Sequence, residues 1–309
     1  MNLTDPIFND EDAARAHFEA LRWLDGRVCP HCGVIGNSTL MQGKTTRPGL
    51  YKCKDCRKPF TATMGTVYER SHIPLHKWLL ATQLMVSSKK GMSAHQLFRM
   101  LGFGSYRTAW FMAMRIREAM TPAKVEPMGG NGGIVEVDET FIGREPGVDV
   151  QRGYKHKMKV LSLLDRTTGE KRSMVVDKIT IAEITPILRA NIARDTQLMT
   201  DDAGQYRFMS EHFASHRTTP HMKGIYVDRN NSIIHTNTIE GSFSIFKRGM
   251  RGIYQHCGKQ YLHRYVAEFD FRYTYRASLG CNDADRATVA IQGTVGKRLM
   301  YQQTGRQAA

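Results

Sequence analysis

The spacing of apolar and polar residues changes near the middle of the chain, and the second half reads as alternating strands and helices. The stretch that begins at Gly133, Ile-Val-Glu-Val-Asp-Glu-Thr-Phe-Ile-Gly, is rich in β-branched residues and predicts a strand with acids in its middle. Met158–Asp165 and Lys171–Val176 predict a hairpin. The pattern then predicts a helix over residues 180–191 with a capping box of Thr180 and Glu183, a strand over 196–202, a helix over 206–213, a strand over 225–228 and a long helix from Thr236.

Helical spacing of apolar residues characterises the stretch before residue 127. Residues 73–88 predict one helix, Ser93 and Gln96 form a capping box for a second that Gly102 ends, and Ser105 caps a third, Tyr106–Met120. Two short helices joined by a glycine-containing turn resemble a helix-turn-helix. On the last helix Arg107, Arg115 and Arg117 would then face DNA; the alternative is a plain helical hairpin.

A glycine-rich stretch separates the two halves. Residues 127–133 read Pro-Met-Gly-Gly-Asn-Gly-Gly, which by composition predicts a flexible linker. We therefore expect four parts: a zinc-ribbon domain over 1–70, a helical, helix-turn-helix-like segment over 71–126, a catalytic α/β domain over 134–282 and a loosely held polar tail over 283–309.

Four cysteines form two tight pairs, Cys29 with Cys32 and Cys53 with Cys56. Two CxxC pairs at this separation are typical of a zinc ribbon, in which four thiolates enclose one Zn²⁺. A closed tetrahedron leaves no position for substrate, so this zinc is expected to be structural. The alternatives are disulfides or buried free thiols, and we expect Cys257 and Cys281 to be ordinary single thiols.

The compartment expected for this protein agrees with metal binding. Residues 1–20 are acidic and interrupted by polar residues, unlike a signal peptide, and no run of about 18 apolar residues suggests a membrane span. We therefore expect a cytoplasmic protein, associated with the nucleoid when it binds DNA. Thiols stay reduced in that compartment and remain available to zinc.

The charge of the chain predicts a polyanionic partner. The formal charge is +15 over 309 residues, and the isoelectric point is about 9.7. The excess is concentrated: residues 52–126 hold 13 Lys and Arg against 4 Asp and Glu, and residues 241–278 hold 7 against 2. Two basic regions beside a zinc ribbon favour double-stranded DNA over a merely solubilising surface.

The predicted order of elements in the second half is that of an RNase H-like α/β domain. Acids on the first strand, at the end of the fourth and on the last helix would meet at one edge of such a sheet. Three carboxylates there can hold two divalent cations about 3.5–4 Å apart for in-line phosphoryl transfer. Hard oxygen ligands favour Mg²⁺ or Mn²⁺ over zinc at this edge.

Taken together, these motifs resemble a known family. The zinc ribbon, V-E-V-D-E-T-F-I-G, T-D-D-A-G-Q-Y, H-T-N-T-I-E-G-S-F-S-I-F-K-R-G and Y-L-H-R-Y-V-A-E-F-D-F-R-Y are similar to the bacterial, ISXO-like group of DDE insertion-sequence transposases. The resemblance covers about residues 15–276. It implies DNA strand cleavage and joining, with Asp138, Asp201 and Glu240 as the metal-binding acids and Lys247 on phosphate. Phe243 stands where such elements place Trp.

Several assignments remain open from the sequence alone. Glu136 shares a strand face with Asp138 and is a rival first acid, whereas Glu139 faces the other way. Asp202 is a rival to Asp201, or caps the turn. Glu240 is alternatively a solvated helix acid. Asn237 would orient a metal ligand or phosphate, and His235 reads as a cap or packing residue.

The function predicted from these residues is that of a transposase acting at the ends of an insertion sequence, as a homo-oligomer in its active complex. Two alternatives differ in class: a catalytically inactive or domesticated DNA-binding protein, and an RNase H-like nuclease or resolvase. An inactive copy would be free to lose an acid, and this chain keeps three as well as Lys247. A resolvase would not need a ribbon and a helix-turn-helix to find element ends.

Overall fold

The computed structural model describes residues 2–220, 227–228 and 231–300, and the chain divides into two compact units. The first unit contains Met1–Ser88, Met92–Thr121 and Asn282–Ala309. The second contains Lys89–Gly91 and Pro122–Cys281. Among the described helices none is long and apolar enough to cross a membrane.

The first unit begins with helix α1 (Glu11–Arg22), followed by a small antiparallel sheet. Its strands β1 (Ser38–Leu40), β2 (Tyr51–Cys53) and β3 (Pro59–Phe60) lie in the order β1-β2-β3. Its small core contains Cys29, Tyr51, Cys53 and Phe60, with Trp23 packed against them. Two cysteines therefore form part of the core itself, which ties any metal they hold to the folding of this sheet.

The rest of the first unit is helical: α2 (Leu75–Ser87), α3 (Ala94–Met100), α4 (Tyr106–Met120) and α8 (Asp283–Gln292). The Ser93 and Ser105 side chains accept N-cap hydrogen bonds, as predicted. The prediction for the arginines of α4 is wrong for two of three, because Arg115 and Arg117 are buried and only Arg107 is exposed.

The expectation of a loosely held polar tail is wrong for residues 283–292, which form α8. This helix begins with a capping box of Asn282 and Asp285, and it buries Ala287, Ala290 and Ile291. The Arg286 guanidinium donates to the carbonyl of Val86 in α2, 2.9 Å away. The polar composition concealed a narrow apolar face that packs within the first unit.

The second unit is built on a five-stranded mixed sheet. Its strands are β4 (Ile134–Ile142), β5 (Met158–Asp165), β6 (Lys171–Val176), β7 (Gln197–Asp201) and β8 (Ser215–Thr219), in the order β6-β5-β4-β7-β8. Strands β4, β5 and β6 are antiparallel neighbours, so the predicted hairpin is confirmed. Strand β7 runs parallel to both β4 and β8, which makes β4 the central strand.

Helices cover both faces of this sheet. Helix α5 (Ile181–Asn191) packs Ile184 and Leu188 against Val135, Val137 and other odd-numbered residues of β4 and β5. Helix α6 (Asn237–Gly249) packs on the opposite face, where Ile239 and Phe243 meet Leu164. A π-helical turn, Met250–Tyr254, and helix α7 (Lys259–Thr274) complete the unit. Side chains along β4 alternate between the two faces of the sheet, so only every second side chain faces α6.

Four details differ from the predicted pattern. The glycine-rich stretch is packed rather than flexible, since Met128 is buried and the Gly129 amide donates to Asp165. Glu183 accepts from the amides of residues 177 and 178, and Thr180 makes no side-chain cap hydrogen bond. Residues 206–213 form short 3-10 turns. The neighbour of β7 is β8, whereas the strand predicted over 225–228 falls largely outside the described residues.

We expect Ile291→Ala to destabilise the first unit by about 2–4 kcal/mol, because it leaves a cavity where α8 packs. Denaturant unfolding followed by circular dichroism measures the change. Gln292→Ala is the matched control, since the neighbouring side chain is exposed. Equal midpoints for Ile291→Ala and Gln292→Ala would show that α8 contributes nothing to stability.

Candidate functional sites: a thiolate cluster and an acidic edge

The four paired cysteines come together in the first unit. Cys29 Sγ lies 3.7 Å from Cys56 Sγ, Cys32 Sγ lies 3.7 Å from Cys53 Sγ, and all four sulfurs lie within 4.8 Å of one another. A tetrahedron with Zn–S bonds of about 2.3 Å has edges of about 3.8 Å. The sulfur positions therefore fit a four-thiolate zinc site.

Two tight turns of the backbone place these sulfurs. In the first, Gly33 has a φ of +76° and donates to the Cys29 carbonyl at 2.9 Å. In the second, Arg57 has a φ of +59°, and the Cys53 amide donates to the Lys58 carbonyl at 3.1 Å. Each turn folds the chain back within a few residues, so that both thiols of a pair reach the same point.

The thiols influence each other's ionisation. Burial raises the pKa of Cys29, but hydrogen bonds from the His31 and Cys32 amides outweigh it and lower that pKa to about 7. The pKa of Cys32 rises to about 12: the Val34 amide lowers it, but burial and the neighbouring thiols raise it more. Four thiolates at this spacing repel one another, and a divalent cation offsets that repulsion.

A second group of functional side chains lies in the second unit, where β4 and β7 run side by side. The parallel register pairs Glu136 with Met199. Two residues further along each strand come Asp138 and Asp201, which places them on the same face of the sheet at the same level. Helix α6 packs on this face, since the Ile239 amide donates to the Glu136 carboxylate at 2.8 Å.

The next residue of α6 is Glu240. Together, Asp138, Asp201 and Glu240 form the group of carboxylates that we call the acidic edge. The Thr236 hydroxyl donates to Glu240 Oε1 at 2.9 Å, which orients this carboxylate at the start of the helix. Burial raises the pKa of Asp138 to about 8, and the negative charges of Glu139, Asp201 and Glu240 add to that shift. The structure thus brings the three acids implied by the resemblance near enough to act on each other.

Glu136, the rival first acid, is engaged elsewhere. Its side chain is fully buried, and one carboxylate oxygen lies 2.5 Å from Arg166 Nε. Arg166 also donates to the carbonyl of His235 and lies 2.9 Å from that ring's Nδ1. Burial and the Arg166 charge lower the pKa of His235. Glu136 and His235 therefore belong to a buried hydrogen-bond network that holds the start of α6.

Asp201 and Asp202 also differ in their surroundings. Asp201 is the last residue of β7 and is half-buried, and its Oδ1 accepts from the Ala203 amide at 3.1 Å. Asp202 is exposed. The residue that caps the turn is thus Asp201, whereas the sequence suggested Asp202 for that part.

Glu139 is a member of the site that sequence reasoning missed. Its side chain is on the opposite face of β4 from that of Asp138. Its carboxylate accepts hydrogen bonds from the Tyr206 hydroxyl at 2.5 Å and from Gln205 Nε2 at 3.2 Å. Burial raises its pKa to about 7 in spite of these two donors. Gln205 and Tyr206 follow Asp201 in the T-D-D-A-G-Q-Y motif, so Glu139 fastens this turn to β4. The sequence signal for this contact was the presence of both motifs in one chain, V-E-V-D-E-T-F-I-G with Glu139 and T-D-D-A-G-Q-Y with its two donors.

A buried polar chain lies on the α6 face beside the first acid. Ser162 is opposite Asp138 in the β4–β5 register, and its hydroxyl lies 2.7 Å from that of Ser173. Ser173 donates to Asp270 at 2.9 Å, and Lys171 Nζ lies 3.0 Å from the same carboxylate. Burial raises the pKa of Asp270, and Lys171 opposes that effect. These polar groups reinforce the sheet directly behind the acidic edge.

The remaining predicted residues lie on α6. Asn237 is exposed at its first position, and Lys247 is half-buried in its last turn. Phe243 is buried against Leu164 and Ile239, so it is a core residue here. Within the described chain, the four thiols are the one set of three or more metal-ligand residues whose donor atoms all lie within 4.8 Å of one another.

Two family models match separate parts of the chain. Residues 9–59 match the transposase zinc-ribbon domain, and residues 131–274 match the ISXO2-like transposase domain. The chain is 29% identical over 284 residues to an uncharacterized protein in transposable element ISH50 of Halobacterium salinarum, covering 86% of this chain and 91% of the relative. Both matched domains are those of insertion-sequence transposases with an N-terminal zinc ribbon, so the family resemblance is confirmed.

A solved structure also aligns with part of the chain. It is a cryoEM structure of the simian T-cell lymphotropic virus intasome in complex with PP2A regulatory subunit B56 gamma. The alignment covers 56% of this chain and 63% of that one, less than two thirds of its length, at 12% identity and a TM-score of 0.29. A similarity of this size carries no argument about fold or function.

We expect purified protein to contain about one Zn²⁺ per chain, and Cys29→Ser to lose it and unfold the ribbon, because metal binding and folding are coupled at a four-thiolate site. Metal analysis and limited proteolysis of the N-terminal region measure the two effects. Cys257→Ser, which alters a single thiol of the second unit, should keep the zinc. Parent protein with far less than one zinc per chain would contradict the assignment.

We expect Asp138→Asn to stabilise the metal-free protein at alkaline pH by about 1–3 kcal/mol. In the unfolded chain this carboxyl ionises near pH 4, and in the folded chain near pH 8. The folded state therefore binds the extra proton between these values, and stability is lost as pH rises through that range.

Denaturant midpoints measured in a chelator at about pH 5 and pH 9 test the direction of this effect. The free energy of unfolding of Asp138→Asn should exceed that of the parent by more at pH 9 than at pH 5. Asp149→Asn, at a fully exposed carboxyl of the same unit, is the control and should show little difference. An advantage that is the same at both pH values would refute the ionisation argument.

Proposed function

We propose that the second unit is an RNase H-like catalytic domain that cuts DNA strands at the ends of an insertion sequence and joins them to target DNA. The observation that carries this proposal is geometric: Asp138 and Asp201 lie at the same level on one face of the parallel strands β4 and β7, and Glu240 lies on α6, which packs on that face. The raised pKa of Asp138, caused by burial and by the charges of Glu139, Asp201 and Glu240, agrees with it. Acids from three separate elements converge at one edge, which is the arrangement that a divalent-cation site for phosphoryl transfer needs.

The topology of the sheet supports this fold. Three antiparallel strands precede α5, and β7 then pairs in parallel with β4, so that the first strand becomes central. The acids lie on the central strand and on its parallel neighbour, with the third on the helix that packs over them. This is the strand order we associate with RNase H-like domains.

Asp138, Asp201 and Glu240 are the residues we assign to the catalytic cations. Their oxygens are the hard donors that Mg²⁺ and Mn²⁺ prefer, and their mutual repulsion is relieved when a cation binds. Two cations there would activate a water or 3′-hydroxyl and stabilise the leaving oxygen. Glu139 keeps the Asp201 turn against β4, and Glu136 keeps α6 in place.

Lys247 and the first unit provide the proposed contacts to DNA. Lys247 lies two turns after Glu240 on α6, where its ammonium would bind a phosphate near the reacting one. We assign element-end recognition to the zinc ribbon over 1–70 and the helices over 71–126, with Arg107 exposed on α4. Assembly on two ends and a target implies a homo-oligomer on double-stranded DNA.

An inactive DNA-binding protein and a nuclease or resolvase are the competing functions. The retained acids and the Glu139 contacts argue against an inactive copy, because repulsion among unused carboxylates would cost stability without a return in function. The zinc ribbon argues for recognition of particular DNA ends rather than of a branched structure.

We expect Asp138→Asn, Asp201→Asn and Glu240→Gln each to lower strand cleavage and joining at least ~100-fold, because an amide keeps the shape of the side chain but loses the charge that holds a cation. Binding of the DNA end should change little. The assay uses a labelled duplex carrying the end of the element that flanks the gene, with Mg²⁺ and then Mn²⁺.

Three further variants sharpen this assay. Glu211→Gln, at an exposed acid of the same unit, should cleave like the parent. Asp202→Asn separates the two candidates for the second acid: loss there with normal cleavage by Asp201→Asn would reverse the assignment. Lys247→Ala should weaken both binding and rate. Parent-like cleavage by all three acid variants would refute the proposed function.

A further inference from the structure

The loop that joins β4 to β5, residues 143–157, follows the end of the strand that carries Asp138. Phe141 lies on β4 three residues beyond Asp138, about 10 Å along an extended strand, and its side chain is on the opposite face of the sheet. The ring of Tyr154, from the far side of the loop, stacks on Phe141 with centroids 4.2 Å apart and planes at 22°. One face of Tyr154 is therefore occupied by Phe141.

Much of the surface of Tyr154 remains in solvent. The residue is 53% exposed, and the described residues place no second aromatic ring against it. Burying an aromatic ring is strongly favourable, so a half-exposed tyrosine held flat by a neighbouring ring is an accessible stacking surface. Its hydroxyl adds no anchoring hydrogen bond among the described contacts.

The loop has enough internal contacts to hold this ring in place. The Lys157 amide donates to the Tyr154 carbonyl at 2.9 Å, and the Glu145 amide donates to the His156 carbonyl at 2.7 Å. Glu145 also pairs with Lys259 at the start of α7. The ring is thus presented by a closed loop that is fastened to a helix of the same unit.

The charges of the loop indicate what binds to the ring. Its two acids are already paired, Glu145 with Lys259 and Asp149 with Arg144. The cations nearest Tyr154 in the chain are Arg152, Lys155 and Lys157, and the described structure gives none of their ammonium or guanidinium groups an acidic partner. A half-exposed aromatic ring with unpaired cations next to it in the chain is a combination that can bind a nucleic-acid strand through a base and its phosphates.

The geometry of stacking selects an unpaired base. Inside a duplex both faces of each base are covered by its neighbours, so a protein ring can stack only on a base that has left the helix. Strand cleavage and transfer near a duplex end requires the strand to leave its regular path. We propose that Tyr154, supported by Phe141, is a stacking platform for an unpaired base beside the scissile phosphate, with Arg152, Lys155 and Lys157 holding the adjoining backbone.

This proposal rests on the proposed function, and it differs from a purely structural role of the Phe141–Tyr154 stack as a brace for the loop. A brace would matter equally for every substrate. A stacking platform matters most when a base must first be unpaired, and its loss is compensated when the DNA is supplied with that base already unpaired.

The test compares cleavage of two duplexes that carry the same element end, one fully paired and one mismatched beside the cleavage site. Tyr154→Ala should slow cleavage of the paired end ~10-fold or more, since loss of one base–aromatic stack has an effect of this order. The mismatched end should recover most of that loss. Tyr154→Phe should restore most of the rate, and Val150→Ala, at an exposed apolar residue of the same loop, is the control.

A second measurement does not require catalysis. A fluorescent base analogue beside the cleavage site, whose emission is quenched by stacking, is bound by the Asp138→Asn variant with and without Tyr154→Ala. Quenching that depends on Tyr154 supports the platform even if the cleavage assay refutes the proposed function. Equal slowing of paired and mismatched ends, unchanged cleavage by Tyr154→Ala, or quenching that is independent of Tyr154 would overturn the proposal.

Discussion

The buried carboxylate of Glu136 is the interaction on which the geometry of the acidic edge depends. It accepts from the Ile239 amide near the start of α6, and it pairs with Arg166, which in turn donates to the carbonyls of Ile233 and His235. Removing one partner of such a buried pair typically costs about 3–5 kcal/mol, because the other charge is left uncompensated. The position of Glu240, one residue after Ile239, therefore depends on the ion pair between Glu136 of β4 and Arg166.

This arrangement explains why β4 carries acids at successive positions of one face. Glu136 is paired, fully buried and structural, whereas Asp138, one step nearer the edge, has like charges around it. The sequence could not separate the two, since both occupy the same face and the difference is an arginine 30 residues away. Cysteine spacing, in contrast, was sufficient for the thiolate cluster because short turns bring the ligands of each pair together locally.

Two other sequence interpretations failed for related reasons. Arg115 and Arg117 were expected on a DNA-facing surface, but Arg115 lies over the Trp78 ring and donates to the Glu69 carbonyl, so its long stem is part of the packing. The glycines before β4 suggested a flexible linker. Gly129 instead has a φ of +76°, and a Cβ there would lie 2.6–2.7 Å from atoms of Thr196 and Val135. Glycine permits close packing as well as flexibility, and composition alone cannot distinguish the two.

The two candidate sites apply one physical principle with different ligands. In each, the backbone gathers side chains that repel one another when ionised. A zinc ion would supply the compensating charge among the thiolates, and the divalent cations that we propose would supply it among the carboxylates. The thiolates belong to a small core and enclose their centre on all sides, which suits a permanent structural ion. The carboxylates instead lie on the α6 face of β4 and β7. Asp138, Asp201 and Glu240 all stay partly exposed there, so water and a phosphate could reach the cations that we propose. The hydrogen bonds that Glu139 accepts from Gln205 and Tyr206 join β4 to the turn that carries Asp201. These bonds hold Asp138 and Asp201 at a fixed spacing, although the charges of the two carboxylates repel each other.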